Sequence, residues 1–161
     1  MSHSSPQNIR PLILKDIPAL QTVISANEMF PPEMLPEMVA PFLEDKAEGE
    51  YWLSWEHKGE AIALAYFAPE RMTEGTYNLY LIAVDPAHHS QGIGQKMMRY
   101  IESFLANQSV RILLVETSGL PEFARTRSFY HQNGYTEEGR IREFYAKGED
   151  KVIFWKKLAT N

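Results

Sequence analysis

A mixed α/β fold is predicted for this 161-residue chain, with a central, mostly antiparallel sheet and one parallel strand–helix–strand crossover. Three observations predict it. Apolar positions change from strand period to helix period and back between Asn78 and Val115, as in a crossover unit. In the first half, two aromatic-rich runs flank Lys58-Gly59-Glu60, the pattern of an antiparallel hairpin. The length suits one domain with its own core and leaves no room for a second catalytic domain.

Taken in order, Ile9–Leu14 reads as a first strand. Asp16–Ala26 then sets Ile17, Leu20, Val23 and Ile24 at helical spacing. Prolines 31, 32, 36 and 41 break the next stretch into turns and short helix. Tyr51–His57 and Ala61–Phe67 form the hairpin, followed by a polar loop, Glu70–Thr76. Asn78–Val84 is the next strand, stopped by Asp85-Pro86. From Ile93 a helix places Met97, Tyr100, Ile101, Phe104 and Leu105 on one stripe. Ile112–Val115, continuously apolar, is a strand buried on both faces. A last helix spans Glu122–Gln132 and ends at Asn133-Gly134. Tyr135–Phe144 and Lys151–Lys157 close the sheet. Residues 1–8 are expected to be a disordered tail and 9–158 a single domain.

Composition removes several chemistries. The chain has no cysteine, so disulfides, thiolate metal sites and cysteine nucleophiles are excluded. Its histidines are not spaced as metal ligands, and no metal is expected. Hydrophobic residues at 44% and charged residues at 23% fit a globular chain without a large disordered block. A net charge of -5 argues against nucleic acid, which needs a Lys/Arg surplus. It mildly favours cationic or amine partners. No apolar run reaches membrane-span length, and a cytoplasmic protein is expected.

The segment Ala87–Gly94 is rich in residues that let backbone approach an anion closely. Glycine removes the Cβ obstruction and admits unusual dihedrals. Free N–H groups and the positive end of a helix dipole then attract phosphate. By itself the Gly-x-Gly pattern suits an empty turn equally well. A P-loop is excluded because Gln95-Lys96-Met97 follows Gly94, with no hydroxyl for a metal. A dinucleotide fingerprint lacks its third glycine, Met97 standing there. Glu116 falls where that fold's ribose-binding acid would, so a nicotinamide-dinucleotide binder stays as a distant alternative.

The run Val84-Asp85-Pro86-Ala87-His88-His89-Ser90-Gln91-Gly92-Ile93-Gly94, with the helix after it, resembles the acetyl-CoA-binding motif of the GNAT family of N-acetyltransferases. His89 stands where that motif has Gln or Arg. Arg127-Ser128-Phe129-Tyr130-His131-Gln132-Asn133-Gly134-Tyr135 resembles the family's later helix end, and Gly148–Phe154 with Lys157-Leu158 resembles its closing strand. The likeness covers nearly the whole second half in the right order. It implies an acyl-CoA N-acyltransferase-like fold, with acetyl-CoA as co-substrate and an amine as acceptor.

By the same resemblance, Ile82, Ala83 and Val84 offer main-chain contacts to the cofactor. His89, Ser90, Gln91, Gly92, Ile93, Gly94 and Gln95 cradle its pyrophosphate. Tyr130 matches the tyrosine that protonates the departing thiolate or binds its sulfur. The family's helix-start asparagine is replaced by Phe123. The strand Asn78–Val84 lacks a carboxylate to serve as base. Glu116, at the end of the following strand, is the preferred substitute, ahead of Tyr80, Glu28 and Glu33. Trp52, Trp55 and Trp155 read as packing residues. Two functions remain open: an N-acetyltransferase acting on a primary amine by direct attack, and a CoA-binding sensor with little catalysis. A homodimer is left open.

Overall fold

The computed structural model describes residues 8–159; the expected tail lies outside them except for Asn8, whose Nδ2 donates to the Glu56 carbonyl at 3.0 Å. Seven strands form one mixed sheet in the order β1-β2-β3-β4-β5-β7-β6. The chain divides into two compact units. The first holds the chain up to Ala68 and Leu81–Ile101, the second Pro69–Tyr80 and the chain from Glu102.

In the first unit, β1 (Ile9–Pro11) pairs antiparallel with β2 (Tyr51–His57). It is shorter than the sequence suggests because Pro11 lacks a donor, and Leu14–Asp16 forms a 3-10 turn instead. Helix α1 (Ile17–Ala26) buries the expected stripe, Ile17, Leu20, Val23 and Ile24. A 3-10 turn at Pro32–Met34 leads into α2 (Leu35–Leu43), which buries Leu35 and Val39 and contains Pro41. The hairpin of β2 and β3 (Glu60–Pro69) turns on Lys58 at φ 50 and Gly59 at φ 82. Both are left-handed, as a type I′ turn requires. Leu12, Leu20, Ile24, Leu35, Trp52 and Leu64 center the core.

One buried charge organises this unit. Asp16, only 3% exposed, accepts from Arg10 at 2.7 and 2.8 Å, from Ile13 N at 3.0 Å and from Ser54 Oγ at 2.9 Å. Burial alone would push this carboxyl up. The Arg10, Ile13 and Ser54 hydrogen bonds outweigh that and hold it below the usual carboxylate range.

β4 (Thr76–Val84) and α3 (Ile93–Ala106) contribute to both units. In the second unit, β4 pairs in parallel with β5 (Ile112–Ser118), from Thr76↔Ile112 to Leu79↔Val115. β4 runs on to Val84, and β5 continues three residues past the apolar run that revealed it. A 3-10 turn at Pro121–Phe123 delays α4 to Ala124–Gln132. β6 (Thr136–Ala146) and β7 (Glu149–Lys157) form an antiparallel hairpin whose strands approach each other two residues further into the turn than the expected Tyr135–Phe144 and Lys151–Lys157. β7 also pairs with β5, from Ile112↔Lys157 to Ser118↔Lys151.

The second unit has its own polar clasp. Buried Tyr135 donates to Glu102 Oε2 at 2.7 Å, and Lys156 Nζ donates to Glu102 Oε1 at 2.9 Å and the Asn133 carbonyl at 2.8 Å. Among the described residues, no helix is long and apolar enough to cross a membrane.

Candidate active site

Two groups of residues are candidates for the chemistry, one in each unit. In the first unit, β4 delivers Ile82, Ala83 and Val84 to the turn. Ala83 is buried in the core and its two neighbours are half-buried. The Asp85 carboxylate accepts from Ala87 N at 2.9 Å and shapes the 3-10 turn Pro86–His88. Ser90 at φ 69 and Gly92 at φ 77 then bend the backbone through left-handed positions into α3. Glycine occupies the second at no steric cost.

The first hydrogen bond of α3 runs from Lys96 N to the Gly92 carbonyl at 3.1 Å. The N–H groups of Ile93, Gly94 and Gln95 therefore have no acceptor within the helix. A Cβ placed on Gly92 would meet nothing within 4 Å, so the backbone at Gly92 is open on that side. N–H groups at a helix N-terminus attract an anion.

His89 bonds back to the strand. Its Nε2 lies 2.9 Å from the Val84 carbonyl, an acceptor only, so Nε2 carries the proton. The same carbonyl accepts from Asn27 Nδ2 at 3.0 Å. Both of its lone pairs are occupied, and a ligand contact from Val84 does not use this oxygen. His88 is likewise tied, Nδ1 lying 3.2 Å from Gln91 Oε1.

The second unit holds Tyr130, which is 4% exposed and packs against Phe129, Tyr135 and Phe154 at ring separations of 5.5, 6.0 and 5.5 Å. Burial, then the neighbouring Tyr145, pushes its hydroxyl well above the ordinary phenol range. It is a core aromatic that stays protonated. Arg127, one turn earlier, donates to the carbonyls of Ser118 at 2.7 Å and Leu120 at 2.9 Å, which fastens α4 to the end of β5.

Glu116 lies on β5 with both oxygens engaged: Oε1 accepts from Asn78 Nδ2 at 2.8 Å, and Oε2 meets Lys151 Nζ at 2.7 Å. The second hydrogen of the Asn78 amide goes to Glu70 Oε1 at 2.9 Å, and Tyr80 donates to that same oxygen at 3.1 Å. Asn78 is fully buried, and its Oδ1 is the one wholly buried side-chain polar atom without a partner among the described residues. Such an orphan costs about 1–3 kcal/mol. Tyr145 faces this cluster: burial first, then Glu116 and Glu149, raise its hydroxyl.

Of the residues singled out from sequence, Glu116 and Tyr80 meet in this cluster through Asn78 and Glu70, whereas Tyr130 packs among Phe129, Tyr135 and Phe154; Glu70, Asn78 and Lys151 were not among those candidates. The available signal was a lone amide inside the apolar strand Tyr77–Val84. Glu28 and Glu33 are exposed in the first unit and do not join the cluster. Among the described residues, no three His, Asp or Glu side chains gather to hold a metal.

A family model described as acetyltransferase (GNAT) family matches residues 17–135. Among solved structures, a protein from Desulfovibrio desulfuricans assigned to the GNAT acetyltransferases is 28% identical, with a TM-score of 0.87 over 94% of this chain and 98% of that one. The ribosomal-protein-S18-alanine N-acetyltransferase of Escherichia coli is 22% identical, TM-score 0.75, over 95% of this chain and 94% of that one. An aminoglycoside 6'-N-acetyltransferase complexed with coenzyme A shares 13% identity, TM-score 0.74, over 95% and 98%. The last two likenesses are of fold alone. No curated protein matches.

Proposed function

The chain belongs to the GNAT acetyltransferase family and is an acyltransferase, and from that premise we propose that it transfers acetyl from acetyl-CoA to a primary amine by direct attack. The observation that carries the donor side is that the N–H groups of Ile93–Gln95 have no acceptor within α3, directly after the open backbone of Gly92. These groups, with Ser90 and Gln91, would take the pyrophosphate. With His89 bonded to the strand, the cradle relies on backbone donors instead of a fixed side-chain charge.

Acetyl-CoA supplies the thioester. The amine nitrogen forms a bond to the acetyl carbon, the carbon–sulfur bond breaks, and the leaving sulfur needs a proton. Tyr130 suits that step because burial keeps its hydroxyl protonated. The carboxylate pair Glu70 and Glu116 provides negative charge for the acceptor, and the chain's own charge of -5 also favours a cationic partner. No serine or cysteine intermediate is required.

A second reading, a CoA-binding sensor with little turnover, is favoured by the Lys151 contact that neutralises Glu116. Incubating the protein with acetyl-CoA and panels of amino acids, polyamines and peptides separates the two. Acceptor-dependent thiol release is expected. Stabilisation by CoA without release for any acceptor would favour the sensor, and stabilisation by NAD but not CoA would reject both.

A further inference from the structure

We propose that Glu70 receives the acceptor as an alkylammonium ion and takes its first proton, and that Asn78 positions it; this rests on the acetyltransferase reading above. The cluster contains two carboxylates, and they are not equivalent. Glu116 is paired with Lys151 at 2.7 Å, so its charge is balanced inside the protein. Glu70 is held only by neutral donors, Asn78 Nδ2 and Tyr80 OH. Among the described residues, no cation pairs with it.

The hydrogen bonding of the cluster indicates what would complete the site. Both hydrogen bonds made to the Glu70 carboxylate among the described residues fall on Oε1 and come from neutral donors, while Asn78 Oδ1 beside them is buried without a donor. A ligand that complements the Glu70 carboxylate must bring donors and a positive charge, as a primary ammonium does with three N–H groups. Glu70 is half-buried and Tyr80, on its oxygen, is exposed, so an acceptor can reach this carboxylate from solvent.

Asn78 makes the arrangement possible. One amide group bridges both carboxylates, which places their oxygens within about two hydrogen-bond lengths of each other. Without Lys151 on one of them, two such charges would repel. With it, the pair carries one net negative charge, matched to one ammonium. The first ammonium proton goes to Glu70, leaving a neutral nitrogen that attacks the acetyl carbon. As the carbon–sulfur bond breaks, Tyr130 gives its proton to sulfur and regains one from the newly acylated nitrogen, so protons balance.

Glu70→Gln tests the charge while keeping the geometry, since the amide oxygen still accepts from Asn78 and Tyr80. Acetyl transfer by the full chain is measured with an alkylamine, protonated at assay pH, and with an arylamine, which is neutral there. With the alkylamine, kcat/KM is expected to fall on the order of 10²-fold. With the arylamine it should stay within a few-fold of wild type, while the acetyl-CoA Kd and the melting midpoint stay unchanged. Equal losses with both amines, or no loss with the alkylamine, would overturn the role of Glu70 and leave the acetyltransferase reading standing. If wild type binds acetyl-CoA yet acetylates neither amine, that reading fails and this role with it.

Discussion

Lys151 Nζ lies 2.7 Å from Glu116 Oε2 and 3.9 Å from the centre of the Phe144 ring. The carboxylate most visible in the sequence is thus already balanced by a cation, and the ammonium is further held by an aromatic face. With the two side chains only 11% and 22% exposed, solvent screens the pair weakly. Replacing Lys151 by Met strands a carboxylate next to Glu70. A loss of about 2 kcal/mol is expected, read as a lower urea midpoint at unchanged slope. An unchanged midpoint would mean that the pair contributes nothing to stability.

Tyr130→Phe removes one hydroxyl from a packed aromatic cluster and leaves the rings in place. Turnover is expected to drop roughly 10²-fold with acetyl-CoA affinity unchanged. Because burial favours the neutral phenol, the wild-type rate should show no falling limb near the ordinary tyrosine value of about 10. Unchanged turnover in the variant would remove Tyr130 from proton transfer.

Gly92→Ala asks what the turn contributes. A methyl there meets open space, so the direct cost is backbone strain at φ 77, about 1–2 kcal/mol. Acetyl-CoA binding should weaken well beyond that stability loss, because the methyl intrudes where the anion would approach the free N–H groups. Calorimetry of CoA binding beside a urea melt separates the effects; wild-type affinity in the variant would move the pyrophosphate elsewhere.

Asp16→Asn breaks a buried ion pair that the proposed chemistry does not use. Arg10 then lacks its main counter-charge, and a loss of about 3 kcal/mol at pH 7 is expected. The folded carboxyl titrates below the unfolded one, so its contribution is complete above the unfolded value of about 3.9. That contribution disappears as pH falls through the lower folded value. Urea melts at pH 7 and pH 3 should show the gap between variant and wild type closing on acidification. A constant gap would assign the loss to packing instead of charge.

The order of strands and helices, the β4–α3–β5 crossover and the placement of Tyr130 and Gly92 were all legible in the sequence. Each rests on relations between residues a few positions apart: the spacing of Met97, Ile101 and Leu105 on α3, the turn demands of Lys58-Gly59, the glycines before Ile93. Boundaries shifted where a proline acted, at Pro11 and Pro121, since a missing N–H or a fixed dihedral overrides periodicity.

What only the tertiary structure decided is which charges meet. Asn78 reaches Glu116 because the parallel register sets Asn78 opposite Leu114, two residues before Glu116 on the same face of the sheet. Lys151 reaches it because the antiparallel register sets Ser118 opposite Lys151. Glu70 joins through a turn whose end is held by its own N–H on the Thr76 carbonyl at 2.9 Å. The bond from Asn27 to the Val84 carbonyl, 57 positions away in sequence, likewise depends on three-dimensional proximity. Local pattern determines which element a residue belongs to, whereas strand register, set by the packing of the whole sheet, determines its neighbours across space, and the charge of the site is settled among those neighbours.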